Sequence, residues 1–132
     1  EVGVNVTINP VPTADFEGLK YSHELPFFIE QWYSWGNDPF YQLTFNLKCG
    51  AFTNLTNYCN EEVDELIEAG TFSRDPEERE QLIRRAQEII VEEAPWAYLY
   101  QPDWIVGTRS DVTGVALFND LTLRFAYLGK SE

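Results

Sequence analysis

The chain has 132 residues and a formal net charge of −13, from 9 Lys and Arg residues against 22 Asp and Glu residues. This balance argues against nucleic-acid binding, because phosphate neutralisation needs clustered Lys and Arg side chains. With 44% hydrophobic and 15% aromatic residues, the chain has enough apolar material for the core of one domain. No run approaches the roughly 18 consecutive apolar residues of a membrane-spanning helix. The sequence begins with Glu1 and contains no Met, which predicts a processed product or a piece of a longer protein.

Two strands and a short helix are predicted before residue 40. Apolar residues alternate with polar residues or glycine over residues 2–8, which is typical of a strand with one buried face. A short amphipathic segment follows over residues 13–20, with Thr13 as its candidate N-cap. Residues 25–32 form a nearly continuous apolar run, which indicates a central strand covered on both faces. Turn-forming residues predict a loop over residues 34–39.

A pair of consecutive helices is the clearest structural prediction. The first has Asn60 as its N-cap, followed by two Glu residues that suit the positive end of the helix dipole, and it is expected to end at Gly70. The second has Asp75 as its N-cap, followed by Pro and two Glu residues in a variant of the capping box. Pro95 stops this second helix.

Shorter elements are predicted on either side of the helix pair. Residues 40–47 are apolar and are expected to form a helix, with a strand as the alternative. Strands are predicted over residues 96–100 and 105–107, and a turn over residues 111–114. Alternation over residues 121–128 predicts a final strand.

The two cysteines, Cys49 and Cys59, lie ten positions apart in a loop rich in Gly, Asn and Thr. A zinc site needs about four ligands, and the only His, His23, is distant in sequence. These observations argue against a zinc site. Of the two remaining options, a disulfide is favoured over two free thiols, and a disulfide indicates an oxidising compartment. Two glycosylation triplets, beginning at Asn5 and Asn54, are compatible with secretion but also arise often by chance.

The order of motifs supports a family resemblance. An Asn-Tyr-x-Asn-x-Glu-Val-Asp-x-Leu-Ile pattern is followed by Asp-Pro-Glu-Glu-Arg and then by Ala-Gln-Glu-Ile-Ile-x-Glu-Glu-Ala-Pro. This order resembles the peptide/nickel class of extracellular solute-binding proteins, the binding subunits of ABC importers for dipeptides, oligopeptides, nickel chelates and some oligosaccharides. Residues 3–6 look like the strand that enters the second lobe of these proteins, and residues 32–39 look like their cleft loop. The carriers of the pattern are Asn57, Tyr58, Asn60, Glu62, Val63, Asp64, Leu66, Ile67, residues 75–79 and residues 86–95.

The resemblance implies an α/β fold: the C-terminal lobe of a periplasmic-binding-protein type II fold, with a mixed sheet flanked by helices. Residues 1–132 are expected to form a single lobe, as a C-terminal fragment of a longer two-lobed protein. The implied partners are a peptide or other small-molecule ligand, ABC permease subunits and the missing N-terminal lobe, with no nucleic acid, cofactor or metal. The implied location is periplasmic or extracellular, with membrane anchoring through the missing N-terminal part as an option. Some members of this class carry a disulfide in the loop that corresponds to the one with Cys49 and Cys59.

The cleft loop departs from the family pattern at one position. In peptide-binding relatives, an Asp four residues before the loop's Pro holds the α-amino group of the peptide, and here Trp35 stands at that place. The amine anchor is therefore missing unless Asp38 replaces it, and the aromatic residues of the loop are candidates for stacking. The competing interpretation places these aromatics in the core, makes Asp38 the N-cap of the next helix, and leaves Asn57 as loop scaffolding. The candidate ligand-binding residues are Trp32, Tyr33, Trp35, Gly36, Asn37, Asp38 and Asn57.

Three other functions compete with peptide capture. A member of the same class that binds oligosaccharides is one, and a ligand sensor with a membrane partner is another. A glycosidase is the third, and it would require a carboxylate pair such as Asp38 with Asp103. The sequence has no Ser/His/Asp set, no Gly-rich phosphate loop and no metal-ligand cluster. It therefore favours a binding protein that is not an enzyme.

Overall fold

The computed structural model describes residues 3–33, 36, 38–118, 120 and 122–131. The chain divides into two compact units, residues 1–30 and residues 31–132. Within the described ranges the elements are four α-helices, one 3-10 helix and two short β-strands. This content is that of a small α/β domain.

In the first unit, helix α1 spans Thr13–Tyr21. The predicted helix is present, but Pro12 rather than Thr13 is the N-cap residue, and no side chain caps the helix. Pro suits the helix entrance because its φ is fixed and it has no N–H to satisfy.

Lys20 is 6% exposed, which is unusual for a lysine. Its Nζ lies 2.9 Å from a Glu17 carboxylate oxygen and 3.1 Å from one of Glu30, and it also faces the rings of Phe16 and Tyr21. Burial, the largest single influence, acts to lower the pKa of Lys20. The hydrogen bonds and charges of Glu17 and Glu30 together outweigh it, so the pKa is raised.

The strands predicted over residues 2–8 and 25–32 were wrong for the residues that the structure describes. Val4, Val6 and Ile8 are 71%, 68% and 87% exposed, and residues 25–32 are irregular. A strand needs a hydrogen-bonded neighbour as well as an alternating sequence. No ladder forms with these segments among the described residues, so the apolar side chains at positions 4, 6 and 8 remain exposed.

The second unit contains helices α2 (Pro39–Asn46), α3 (Glu61–Phe72) and α4 (Pro76–Glu93). The prediction of a helix over residues 40–47 is thereby confirmed. Helices α3 and α4 pack as an antiparallel pair joined by a short turn, and α2 packs on α3. The core side chains of this unit are Phe40, Leu47, Val63, Ile67, Ala86, Ile89 and Ile90.

The predicted starts of α3 and α4 are confirmed. The Asn60 side chain accepts a hydrogen bond from the Val63 amide at 3.1 Å, and the Asp75 side chain accepts one from the Glu77 amide at 2.9 Å. The capping box at the second start needs a correction, because Glu78 bonds the Ser73 hydroxyl instead of returning to the Asp75 amide. The Ser73 oxygen in turn accepts a hydrogen bond from that amide at 3.2 Å.

The prediction that Gly70 ends α3 was wrong. The helix continues to Phe72, and Gly70 is a buried residue within it. The ring of Phe40 lies against this glycine, at a place where a side chain would not fit. Helical packing therefore explains this glycine better than helix termination does.

The sheet is smaller than predicted. Strand β1 (Val112–Thr113) pairs antiparallel with β2 (Gly129–Lys130), and Leu117 and Leu123 form an isolated antiparallel bridge. The mixed sheet, the strands over residues 96–100 and 105–107, and the continuous strand over residues 121–128 are therefore not found in the described part of the chain. Leu121 lies outside the described residues, and Phe125–Tyr127 form a 3-10 helix. The predicted turn over residues 111–114 is shorter, with its bend at residues 110–111 before β1.

Candidate functional site

The described residues of the loop before α2 include two exposed aromatic side chains, Trp32 and Tyr33. They are 41% and 51% exposed, so neither is a core residue of this structure. The indole N–H of Trp32 donates a hydrogen bond to the side-chain oxygen of Gln42 in α2, which orients the ring. The candidate residues Trp35 and Asn37 lie outside the described residues.

Gly36 lies over an aromatic side chain of α2. A Cβ atom at this exposed glycine would lie 3.4 Å from Cγ of the Tyr41 ring. The Tyr41 ring itself packs on Phe45, with the ring centroids 4.6 Å apart. The backbone at Gly36 is thus close to the aromatic surface of α2, at a distance that would bring an added Cβ atom into ordinary van der Waals contact with the ring.

Asp38 ends the loop and begins α2. Its Oδ1 accepts a hydrogen bond from the Phe40 amide at 2.8 Å, and Pro39 occupies the first helical turn. The interpretation of Asp38 and Pro39 as a helix start is therefore confirmed. The second carboxylate oxygen, Oδ2, lies 2.5 Å from Nη2 of Arg79 in α4, so both oxygens of Asp38 already have partners.

The contact between Asp38 and Arg79, which are 41 positions apart, was not predicted from the sequence. Arg79 also donates a hydrogen bond to the carbonyl oxygen of Gly70. Its guanidinium carbon lies 4.8 Å from the centroid of the Phe40 ring, within the range of a cation–π interaction. One side chain therefore connects the start of α2 with α3 and α4.

The predicted disulfide between Cys49 and Cys59 is present, with the two Cα atoms 4.5 Å apart. It closes the segment between α2 and α3, which we call the disulfide loop (residues 49–59). The Cys49 amide donates a hydrogen bond to Oδ1 of Asp64 at 3.0 Å, which fastens the loop to the first turns of α3.

Asn54 organises the interior of the disulfide loop and was not singled out for this role from the sequence. It is 4% exposed. Its Nδ2 donates to the carbonyl oxygens of Lys48 and Tyr58 at 3.0 and 2.6 Å, and its Oδ1 accepts from the Tyr58 amide at 3.1 Å. Because this amide is buried and fully bonded, the triplet that begins at Asn54 does not present a glycosylation site in the folded chain.

Asn57 and Tyr58 form the end of the disulfide loop. Asn57 is exposed with φ of 55°, a left-handed conformation that Asn tolerates better than most residues. The Tyr58 hydroxyl donates to a Glu93 carboxylate oxygen at 2.5 Å, and Asn60 Nδ2 donates to the other at 2.8 Å. Partial burial and the bond to Glu93 raise the pKa of the Tyr58 phenol above its ordinary value of 10.0.

The candidate residues fall into two groups along α2. Trp32, Tyr33, Gly36 and Asp38 precede the helix, whereas Asn57 follows it in the disulfide loop. Helix α2, eight residues long, and the first part of the disulfide loop separate the two groups along the chain. Within the described ranges, no three His, Cys, Asp or Glu side chains cluster as metal ligands. The same residues include no helix with the length and apolar character needed to cross a membrane.

No protein-family model matches the chain, but the chain is similar in sequence to three named relatives. It is 27% identical over 117 residues to the probable di/tripeptide-binding protein 5 of Pseudomonas aeruginosa. It is 27% identical over 131 residues to the peptide transport periplasmic protein SapA of Haemophilus influenzae. The di/tripeptide-binding protein 4 of Pseudomonas aeruginosa is 26% identical over 120 residues.

These matches cover 86%, 97% and 89% of the chain but only 22 to 23% of each relative. The chain thus spans less than a quarter of the length of the relatives. All three relatives carry names that assign them to peptide binding or peptide transport. The resemblance drawn from the sequence is confirmed: over most of its length, this chain is similar to a segment of the peptide-binding members of the extracellular solute-binding protein class.

Proposed function

We propose that this chain is part of the substrate-binding component of an ABC importer and captures a peptide or a similar small solute. The observation that carries the proposal is the similarity of 86 to 97% of the chain to three proteins named for peptide binding or peptide transport. In this proposal residues 1–132 contribute to one lobe, a C-terminal lobe of the type II fold, and the solute lies between this lobe and a second one. The implied partners are the permease subunits, and the implied location is periplasmic or extracellular.

The proposed solute contacts are the candidate residues of the two loops. The exposed rings of Trp32 and Tyr33 offer faces for stacking on flat or apolar groups. Trp35, Gly36, Asn37 and Asp38 are further proposed contacts, of which Trp35 and Asn37 lie outside the described residues, and Asn57 is the proposed contact from the disulfide loop. No catalytic step is part of this proposal, because the relatives are named for binding and transport.

The surroundings of Asp38 bear on specificity. Its carboxylate accepts a backbone hydrogen bond and pairs with Arg79, so a ligand ammonium would have to share it with a guanidinium. A carboxylate that is already paired with a cation attracts a second cation less strongly than an unpaired carboxylate does, because the two cations repel each other. We therefore expect the solute to be held by stacking and shape, with little preference for a free α-amino group.

A thermal-shift screen of the full-length protein tests the proposed function. Free and N-acetylated di- and tripeptides, oligosaccharides and nickel chelates are compared, since any ligand that binds the folded state raises Tm. We expect peptides to raise Tm, with similar shifts for free and acetylated forms. A shift with oligosaccharides alone would reassign the ligand class, and no shift with any of these solutes would contradict the proposal.

A further inference from the structure

Arg79 connects the candidate ligand loop to the helix pair, although it is not among the proposed solute contacts. Its side chain is 25% exposed and extends from the beginning of α4. It contacts a carboxylate of the loop, a carbonyl oxygen of α3 and an aromatic ring of α2. These three groups come from three separate segments of the chain.

The geometry of these contacts depends on the shape of guanidinium. Nη2 lies 2.5 Å from Oδ2 of Asp38, while Nη1 donates to the carbonyl oxygen of Gly70. The guanidinium carbon lies over the Phe40 ring, 4.8 Å from the ring centroid. A planar fork with several fixed donors can satisfy all three partners together, whereas a lysine ammonium is a single point charge.

Asp38 connects Arg79 to the end of the candidate loop. One carboxylate oxygen binds Arg79, and the other accepts the Phe40 amide hydrogen bond at 2.8 Å. The last residue of the loop is therefore fixed both to the start of α2 and to α4. Loss of Arg79 frees one of the two oxygens, so the carboxylate is held less firmly and its bond to the Phe40 amide is loosened.

We propose that Arg79 is a positioning residue for solute binding: without touching the solute, it fixes Asp38, the last residue of the candidate loop before α2, and thereby sets the affinity. This inference rests on the proposed function, in which that loop faces the solute. A neighbouring arginine supplies a matched control. Arg84 pairs with Glu80 of the same helix, and both side chains are mostly exposed, so Arg84→Gln removes an ion pair without releasing the loop.

The first measurement is amide hydrogen exchange in the full-length protein without ligand. Arg79→Gln is expected to raise the exchange rate of the Phe40 amide about tenfold, since a loosened hydrogen bond to a charged group exposes the donor. The amides of the core residues Ile67 and Ile90 should keep their rates, and Arg84→Gln should alter none of the three. An unchanged Phe40 amide, or an equal rise at all three amides, would overturn the proposal.

The second measurement is the affinity of the full-length protein for trialanine, by calorimetry. Arg79→Gln is expected to weaken binding about tenfold, Arg79→Lys should fall between it and the wild type, and Arg84→Gln should bind like the wild type. Equal affinity of Arg79→Gln and wild type would overturn the proposal. A wild-type protein that binds no di- or tripeptide contradicts the proposed function and the affinity part of this inference, whereas the exchange rates still decide whether Arg79 holds the loop.

Discussion

The ring of Phe40 packs against the backbone of Gly70, so closely that a Cβ atom on Gly70 would lie 2.0 Å from Cζ of the ring. Phe40 is 2% exposed, so the ring is buried at this contact. This contact sets how closely α2 can approach α3. It also places the Phe40 ring under the Arg79 guanidinium, next to the residue that ends the candidate loop.

Gly70→Ala is expected to destabilise the chain by about 1–2 kcal/mol. Overpacking destabilises by about 1–3 kcal/mol, and the better helix propensity of alanine offsets up to about 1 kcal/mol of this destabilisation. Urea unfolding measures the change. The control is Gly18→Ala in α1, where nothing lies within 4 Å of the added Cβ atom, so this variant should be as stable as the wild type or slightly more stable. Equal stability of Gly70→Ala and the wild type would contradict the packing described here.

Loss of the Cys49–Cys59 disulfide is expected to cost about 3 kcal/mol, the loop-closure entropy of a short loop in the unfolded chain. The Cys49→Ala/Cys59→Ala double variant should have a lower Tm than the wild type under oxidising conditions. A reductant should lower the Tm of the wild type and leave that of the double variant unchanged. Two alkylatable thiols in the native protein, detected by mass spectrometry, would show that the bond is not formed.

Asn54→Ala is expected to destabilise the chain by about 1–3 kcal/mol, because the carbonyl oxygens of Lys48 and Tyr58 lose their donor in a buried place. Chemical denaturation measures the loss. Asn57→Gly is the control from the same loop: the residue is exposed with φ of 55°, and glycine adopts this conformation without strain. If Asn54→Ala were no less stable than Asn57→Gly, Asn54 would not organise the loop.

Stability above pH 10 is expected to depend on Tyr58. Its folded-state pKa is raised above the ordinary value of 10.0, so the folded chain keeps the phenol proton at a pH where the unfolded chain releases it. The resulting stabilisation is complete below about pH 10 and is lost as the pH rises further. Tyr58→Phe removes this pH-dependent stabilisation. It also lowers the free energy of unfolding at neutral pH by about 1 kcal/mol, because the hydrogen bond to Glu93 is lost. Urea unfolding at several pH values should show a shallower alkaline loss for the variant, and parallel curves would contradict the assignment.

The sequence predicted the helices well because their signals are local. The side chains of Asn60 and Asp75 bond amides two or three residues away, so a short stretch of sequence contains the whole motif. The disulfide followed from composition and spacing. In each case the interacting groups are close together along the chain.

The strands and the contacts around the loop could not be predicted in the same way. The alternation at Val4, Val6 and Ile8 identifies a face but not a partner strand, and hydrogen-bonded partners are remote in sequence. Asp38 was correctly interpreted as a helix cap, yet its pairing with Arg79 depends on how α2 packs against the helix pair. Gly70 resembled a helix stop in the sequence. Its actual role is to leave room for the Phe40 ring, and this role appears only in the tertiary structure.

The central claim, that this chain is part of a peptide-binding protein whose solute lies between two lobes, is tested most directly by calorimetry with tripeptides. The full-length protein and the chain of residues 1–132 are titrated in parallel. Micromolar binding by the full-length protein, with millimolar or no binding by the isolated chain, is the predicted result, since a cleft gains affinity from both of its sides. Micromolar binding by the isolated chain would contradict the two-lobed site, and no binding by the full-length protein would contradict the peptide-binding function.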